Sequence, residues 1–167
     1  SRQLEDLSAE FSVVAWDAPG CGDSSDPPDT FRLADYADCL AGFIGALHLE
    51  RPYVLGHSFG GGLALELFGR HPRLPRALIL AGGYAGWAGS LPPEEVERRL
   101  QAALEVTRLE PGRVGSALAS APPTDPIGAD PSVGPGTVAS DVHPIGTRVM
   151  AFAFAQADLR DVLPLVD

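Results

Sequence analysis

Tyr53-Val-Leu-Gly56-His-Ser58-Phe-Gly60-Gly-Gly-Leu63-Ala-Leu-Glu-Leu67-Phe68-Gly-Arg70-His71-Pro72 decides how this chain is read. Its first residues form a short apolar run of the strand type, preceded by Pro52, and from Leu63 onward Leu63, Leu67 and Phe68 supply one face of a helix. Between the two lies Gly56-x-Ser58-x-Gly60, a strand-to-helix turn of the kind that lifts a serine hydroxyl clear of a sheet end. Small residues after Ser58 let the helix start hard against the sheet, where a side chain at Gly60 or Gly61 is expected to collide. Arg70, His71 and Pro72 close the helix with basic groups in its last turn and a proline just beyond.

Composition alone predicts about 0.14 occurrences of that five-residue pattern in a chain of this make-up, so its setting carries the argument. Glycine-rich turns that open helices also bind phosphates. That reading fails here on residues. The middle glycine of a dinucleotide turn would fall at Ser58, no Gly-Lys-Ser/Thr follows for a nucleotide loop, and about 20 residues after Gly56 the chain offers Arg76 where a ribose would need an acid.

A second motif is independent of the first. Residues 11–16 read as a strand leading into Asp17-Ala-Pro-Gly20-Cys21-Gly22-Asp-Ser24, a D-x-P-G-x-G-x-S loop. With both motifs at this spacing, the chain resembles the α/β-hydrolase fold superfamily, in its serine-nucleophile branch with a helical cap. Leu33, Tyr36, Ala37, Leu40, Phe43, Ile44 and Leu47 recur at helical spacing, giving the crossover that parallel strands require. Residues 76–80 supply a further buried-type strand. The expectation is an α/β fold: part of a doubly wound parallel sheet over residues 1–82, reading strand, helix, strand, helix, strand from residue 11.

Residues 83–164 match the family's helical cap by position and composition, and residues 165–167 read as the start of a return to the core. Pro92 and Pro93 open a helix carrying Val96, Leu100, Ala103 and Leu104, ended by Pro111-Gly112, with a shorter apolar piece at 114–118. Residues 121–141, with five prolines and three glycines and no lysine or arginine, read as an irregular connector. Residues 145–157 read as an apolar helix packing over the Ser58 end of the sheet, with Phe152 and Phe154 on opposing faces. One more helical turn is expected over 158–163, before Pro164.

The resemblance implies a hydrolase acting on a carbonyl substrate, an ester, lactone, thioester or carbon-carbon bond, through Ser58 as nucleophile and a covalent intermediate. Gly56 and Gly60 are then the elbow glycines, and the backbone N–H of Phe59 is one oxyanion donor. Haloalkane dehalogenases and epoxide hydrolases of the fold carry aspartate where Ser58 stands.

The general base is less visible. His71 lies 13 residues past Ser58 along the helix, about 20 Å away at ~1.5 Å per residue, too far to take the serine proton. His57 is expected to face away from Ser58 by strand alternation, and His48 ends the first crossover helix. His143, with Asp141 beside it, is the base-and-acid pair available from the cap, an arrangement unusual for the family. The family's acid and histidine follow the cap, and a second oxyanion loop precedes the first strand. The chain is therefore expected to be the middle of a larger hydrolase, the alternatives being a non-catalytic binding module of this fold or an inactive fragment.

A 45% hydrophobic composition suits one soluble globular core, and no apolar stretch reaches the ~20 residues of a membrane span. The net charge of −10, spread along the chain, argues against nucleic acid and anionic membrane as partners. The resemblance implies a small-molecule substrate, and the apolar face of residues 145–157 an apolar acyl or aromatic part in it. Cys21 and Cys39 read as free thiols in a reducing cytoplasm. No metal-ligand spacing is present, and neither a metal nor another cofactor is expected.

Overall fold

The computed structural model describes residues 2–108 and 143–166. In chain order these form α1 (Arg2–Leu7), α2 (Leu33–Ala46), β1 (Tyr53–His57), α3 (Phe59–Arg70), β2 (Ala77–Ala81), α4 (Trp87–Ser90), α5 (Pro93–Val106), α6 (Pro144–Ala155) and a 3-10 turn (Leu163–Leu165).

The centre is a β1-α3-β2 unit. Its two strands are parallel, in register from Tyr53 opposite Ala77 to His57 opposite Ala81, and α3 is the crossover between them. Hydrogen bonds from Arg76 N–H to Pro52 O and from Ser58 N–H to Ala81 O, each 2.9 Å, carry the ladder one step past both ends. α2 starts where Asp35 accepts from the Arg32 N–H at 2.7 Å, satisfying one of the helix's orphan donors. Its apolar stripe of Leu33, Tyr36, Ala37 and Ile44 is buried with Leu63, Leu65 and Leu67 of α3 and Val149, Ala153 and Phe154 of α6. Asp38 on α2 pairs with Arg70 at 2.6 Å and His71 at 2.8 Å, tying the end of α3 to its neighbour.

One face of the sheet therefore holds the core. On the other, Leu55 and Ile79 are register partners and stay 62% and 49% exposed, with Tyr53 beside them at 55%. α5 opens on Pro93 at a position where its missing N–H costs nothing. Glu95 pairs with Arg98 and Arg99, each at 2.7 Å, and the Arg99 guanidinium lies 5.0 Å from the centre of the Tyr84 ring.

Residues 11–16 depart from expectation. They form no strand: the segment is irregular, and Phe11 and Val14 remain exposed. An apolar run becomes a strand only when a neighbour shares its hydrogen bonds, and among the described residues β1 and β2 pair with each other alone. What holds the segment is Trp16, whose ring lies 6.1 Å from Phe43 of α2. The last helical turn falls at Leu163–Leu165 and takes in Pro164, where one over 158–163 was expected. Residues 114–118 and 121–141 lie outside the described residues. Among those described, no helix is long and apolar enough to cross a membrane.

Candidate active site

Ser58 serves two elements at once. Its N–H donates to Ala81 O as the last rung of the sheet, and its carbonyl accepts from Gly61 N–H at 2.9 Å as the first step of α3. Turning a strand into a helix within one residue forces Ser58 to φ 53°, ψ −116°, well outside the small left-handed basin that L-residues tolerate. Such a conformation costs on the order of 1–3 kcal/mol and persists only where its surroundings over-determine it. The residue is exposed.

Close packing of backbone supplies that constraint. A Cβ on Gly56 would run into the carbonyl of Gly60, and one on Gly61 would lie 2.9 Å from the Gly83 Cα. A Cβ on Gly62 would meet the ring of Phe154. Gly60 itself has open space where a Cβ would sit, so of the two positions where a collision was expected only Gly61 shows one, and Gly56 adds a closer one. Phe59 is the first residue of α3, whose start has no side-chain cap. Its N–H therefore lacks an intrahelical partner, at the end of the helix where the backbone dipoles favour negative charge.

The histidines sit elsewhere. His57 ends β1 and is exposed, as is His48 after α2. His71 caps α3 and is held by Asp38. Among the described residues no side chain is hydrogen-bonded to the Ser58 hydroxyl. Asp141, the expected partner of His143, lies outside the described residues, and the structure gives that histidine other company. Nδ1 of His143 is 2.7 Å from Asp26 Oδ1 and Nε2 is 3.1 Å from Gly22 O, while its backbone N–H donates to Gly20 O at 3.0 Å.

Asp26 Oδ1 and Gly22 O are both acceptors for a ring N–H. Gly20 and Gly146 approach so closely that a Cβ on either would strike the other's backbone, and Arg148 pairs with Asp29. The loop after residue 16 and the start of α6 are thus stapled together. Sequence reading missed Asp26, because a partner 117 positions away leaves no local pattern.

Cys21 and Cys39 are free. Burial, with Asp17 nearby, pushes the Cys21 thiol up to about 11, which keeps it protonated and a poor nucleophile at neutral pH. Among the described residues no group of three or more His, Cys, Asp or Glu is placed to hold a metal ion.

A family model described as the alpha/beta hydrolase fold matches residues 1–106. A Pantoea ananatis protein named for carbamate hydrolysis, RutD, is 41% identical over 83 residues, which is 49% of this chain and 30% of that protein. The 2-hydroxymuconate semialdehyde hydrolase of Pseudomonas sp. strain CF600 is 39% identical over 80 residues, 47% of this chain and 28% of the relative. A thermophilic esterase from Thermogutta terrifontis superposes with a TM-score of 0.76 at 26% identity, covering 99% of this chain and 61% of the esterase. The chain thus spans less than two thirds of each of these proteins. By the family match over most of its length, and by a fold shared with a solved esterase, this chain belongs to the alpha/beta hydrolase fold family.

Proposed function

We propose that the protein containing this chain is a serine hydrolase in which Ser58 attacks the carbonyl carbon of a small ester-like substrate. The strained backbone of Ser58 between β1 and α3 carries this reading, since no packing need explains a serine at a position glycine would occupy without strain. The Ser58 Oγ forms a bond to the carbonyl carbon as its proton passes to a general base, and the carbonyl π pair moves onto oxygen. The Phe59 N–H faces that oxyanion from the first turn of α3. Collapse of the tetrahedral species expels the leaving group, which takes up the proton, and water then clears the acyl group from Ser58.

Named chemistry in the relatives supports the class: carbamate, ester and semialdehyde hydrolysis all begin at a carbonyl carbon. His143 with Asp141 remains the candidate pair within the chain, and the bonds of His143 to Asp26 and Gly22 favour a holding role for it. Residues 1–82 form the core in this reading and residues 83–164 the cap. The half-exposed Phe152 face of α6 contributes to an apolar acyl or aromatic subsite, and the two free thiols suit the cytoplasm.

Turnover of p-nitrophenyl butyrate by the intact protein tests the reading. Ser58→Ala is expected to lower kcat by at least about 10³-fold with the fold retained. Turnover unchanged in that variant would place the chemistry elsewhere.

A further inference from the structure

The Phe59 ring is held from two sides. Tyr36 of α2, fully buried, meets it edge-on with centroids 5.7 Å apart at 81°. Phe154 of α6, 2% exposed, meets it at 5.3 Å and 65°. Phe154 is itself backed by Trp87 of α4 at 5.7 Å, and its ring lies against the Gly62 backbone in the same first turn of α3. A single side chain from α6 thus touches both the ring of the residue that offers the oxyanion N–H and the turn that carries it.

Two features make this more than core filling. The start of α3 has no side-chain cap to fix the direction of its first N–H groups. The Ser58 conformation would also relax if its surroundings allowed, swinging the Phe59 N–H with it. Oxyanion donors act only when held within a few tenths of an ångström of their productive position.

We infer that Phe154 is a positioning residue for the oxyanion donor: wedged against Phe59 and Gly62, it holds the first turn of α3 where the Phe59 N–H meets the developing negative charge. The inference rests on the nucleophile reading above. It makes α6 part of the machinery that stabilises the transition state. Edge-to-face pairs contribute beyond area burial, and Phe59 has one on each side, to Tyr36 and to Phe154.

The test uses the intact protein and two probes, p-nitrophenyl butyrate for kcat and KM and butylboronic acid, which forms a tetrahedral adduct on serine. Phe154→Leu keeps apolar volume and removes the ring edge. It is expected to lower kcat about tenfold with KM within about twofold, and to weaken the boronic acid by the same factor as kcat. Gly62→Ala pushes on the same ring without removing it and should show the same split. In the double variant the ring that the alanine Cβ would strike is gone, so the combined loss should fall short of the product of the two single losses.

Wild-type kcat and boronic acid affinity in Phe154→Leu, with only a lower Tm, would overturn the inference. So would fully multiplicative losses. If Phe154→Leu is recovered unfolded, Gly62→Ala decides by the same criteria. Ser58→Ala run alongside separates the two readings: turnover surviving there removes the nucleophile assignment and this inference with it, whereas turnover abolished there but insensitive at Phe154 and Gly62 removes this inference alone.

Discussion

The loop over residues 17–24 and the turn between β1 and α3 are both glycine-rich, and they place their strain differently. In the loop over residues 17–24 the left-handed positions fall on Gly20 (φ 84°) and Gly22 (φ 53°), where no side chain objects. Gly20 sits against Gly146, Gly22 against the Asp17 carboxylate, and the Ser24 hydroxyl donates to Asp17 O at 2.7 Å. In the turn that follows β1, Gly56 and Gly61 leave out side chains that would strike neighbouring backbone, and the positive φ falls on Ser58. In the loop over residues 17–24 glycine takes the strained positions, whereas His48 (φ 53°) and Arg51 (φ 48°) show that other residues also adopt positive φ in this fold. A serine kept at φ 53°, ψ −116°, against a cost of about 1–3 kcal/mol, supports the role proposed for its hydroxyl.

The largest way to break this contrast is Gly56→Ala. Its Cβ is driven into the Gly60 carbonyl, between two backbones that the β1-β2 ladder and α3 hold in place. A loss of about 3 kcal/mol or more is expected, read as a lowered urea midpoint. Gly20→Ala combines a forbidden φ with a clash on Gly146. It should cost about 2–3 kcal/mol and speed hydrogen exchange first in residues 144–155. Tolerance of alanine at Gly56 would mean that the turn is looser than drawn.

A smaller effect sharpens the comparison. Ser58→Gly should be more stable than Ser58→Ala by about 1 kcal/mol, because glycine adopts the φ/ψ of this position freely and alanine carries the same Cβ as serine. Both should be inactive, so stability and activity part company at one residue. Equal denaturation midpoints would show that Ser58 is not strained in solution.

The smallest effect lies away from either turn. Arg70 and His71 hold the Asp38 carboxyl at about 2, below its ordinary 3.8. A depressed carboxyl stabilises the fold fully above its ordinary value and loses that contribution as pH falls toward the folded value. The Tm difference between wild type and Asp38→Asn should accordingly be present at pH 7 and shrink between about pH 4 and pH 2. The group is exposed, so salt should reduce the difference at neutral pH.

How far the sequence is legible follows the same physics. β1, α3, β2 and α2 lie close to their expected bounds, since each combines a clear apolar period with a turn or cap signal. Residues 11–16 have the same apolar character as β1 but no described partner, and a strand exists only in its pairing. Spacing also could not say which glycine is indispensable: Gly56 and Gly60 look equivalent in the motif, yet only Gly56 faces backbone. The staple between His143 and Asp26 and the wedge of Phe154 on Phe59 join residues about a hundred positions apart, where no periodicity reaches. α1 and α4, six and four residues long, are too short to announce themselves by period.

The most direct measurement is covalent. Treat the intact protein with a fluorophosphonate, digest it, and locate the adduct by tandem mass spectrometry. A single phosphonylated site is expected at Ser58, absent from Ser58→Ala and slowed in Phe154→Leu. Undiminished labelling of Ser58→Ala, or an adduct on another serine, would contradict the assignment of Ser58 as the nucleophile.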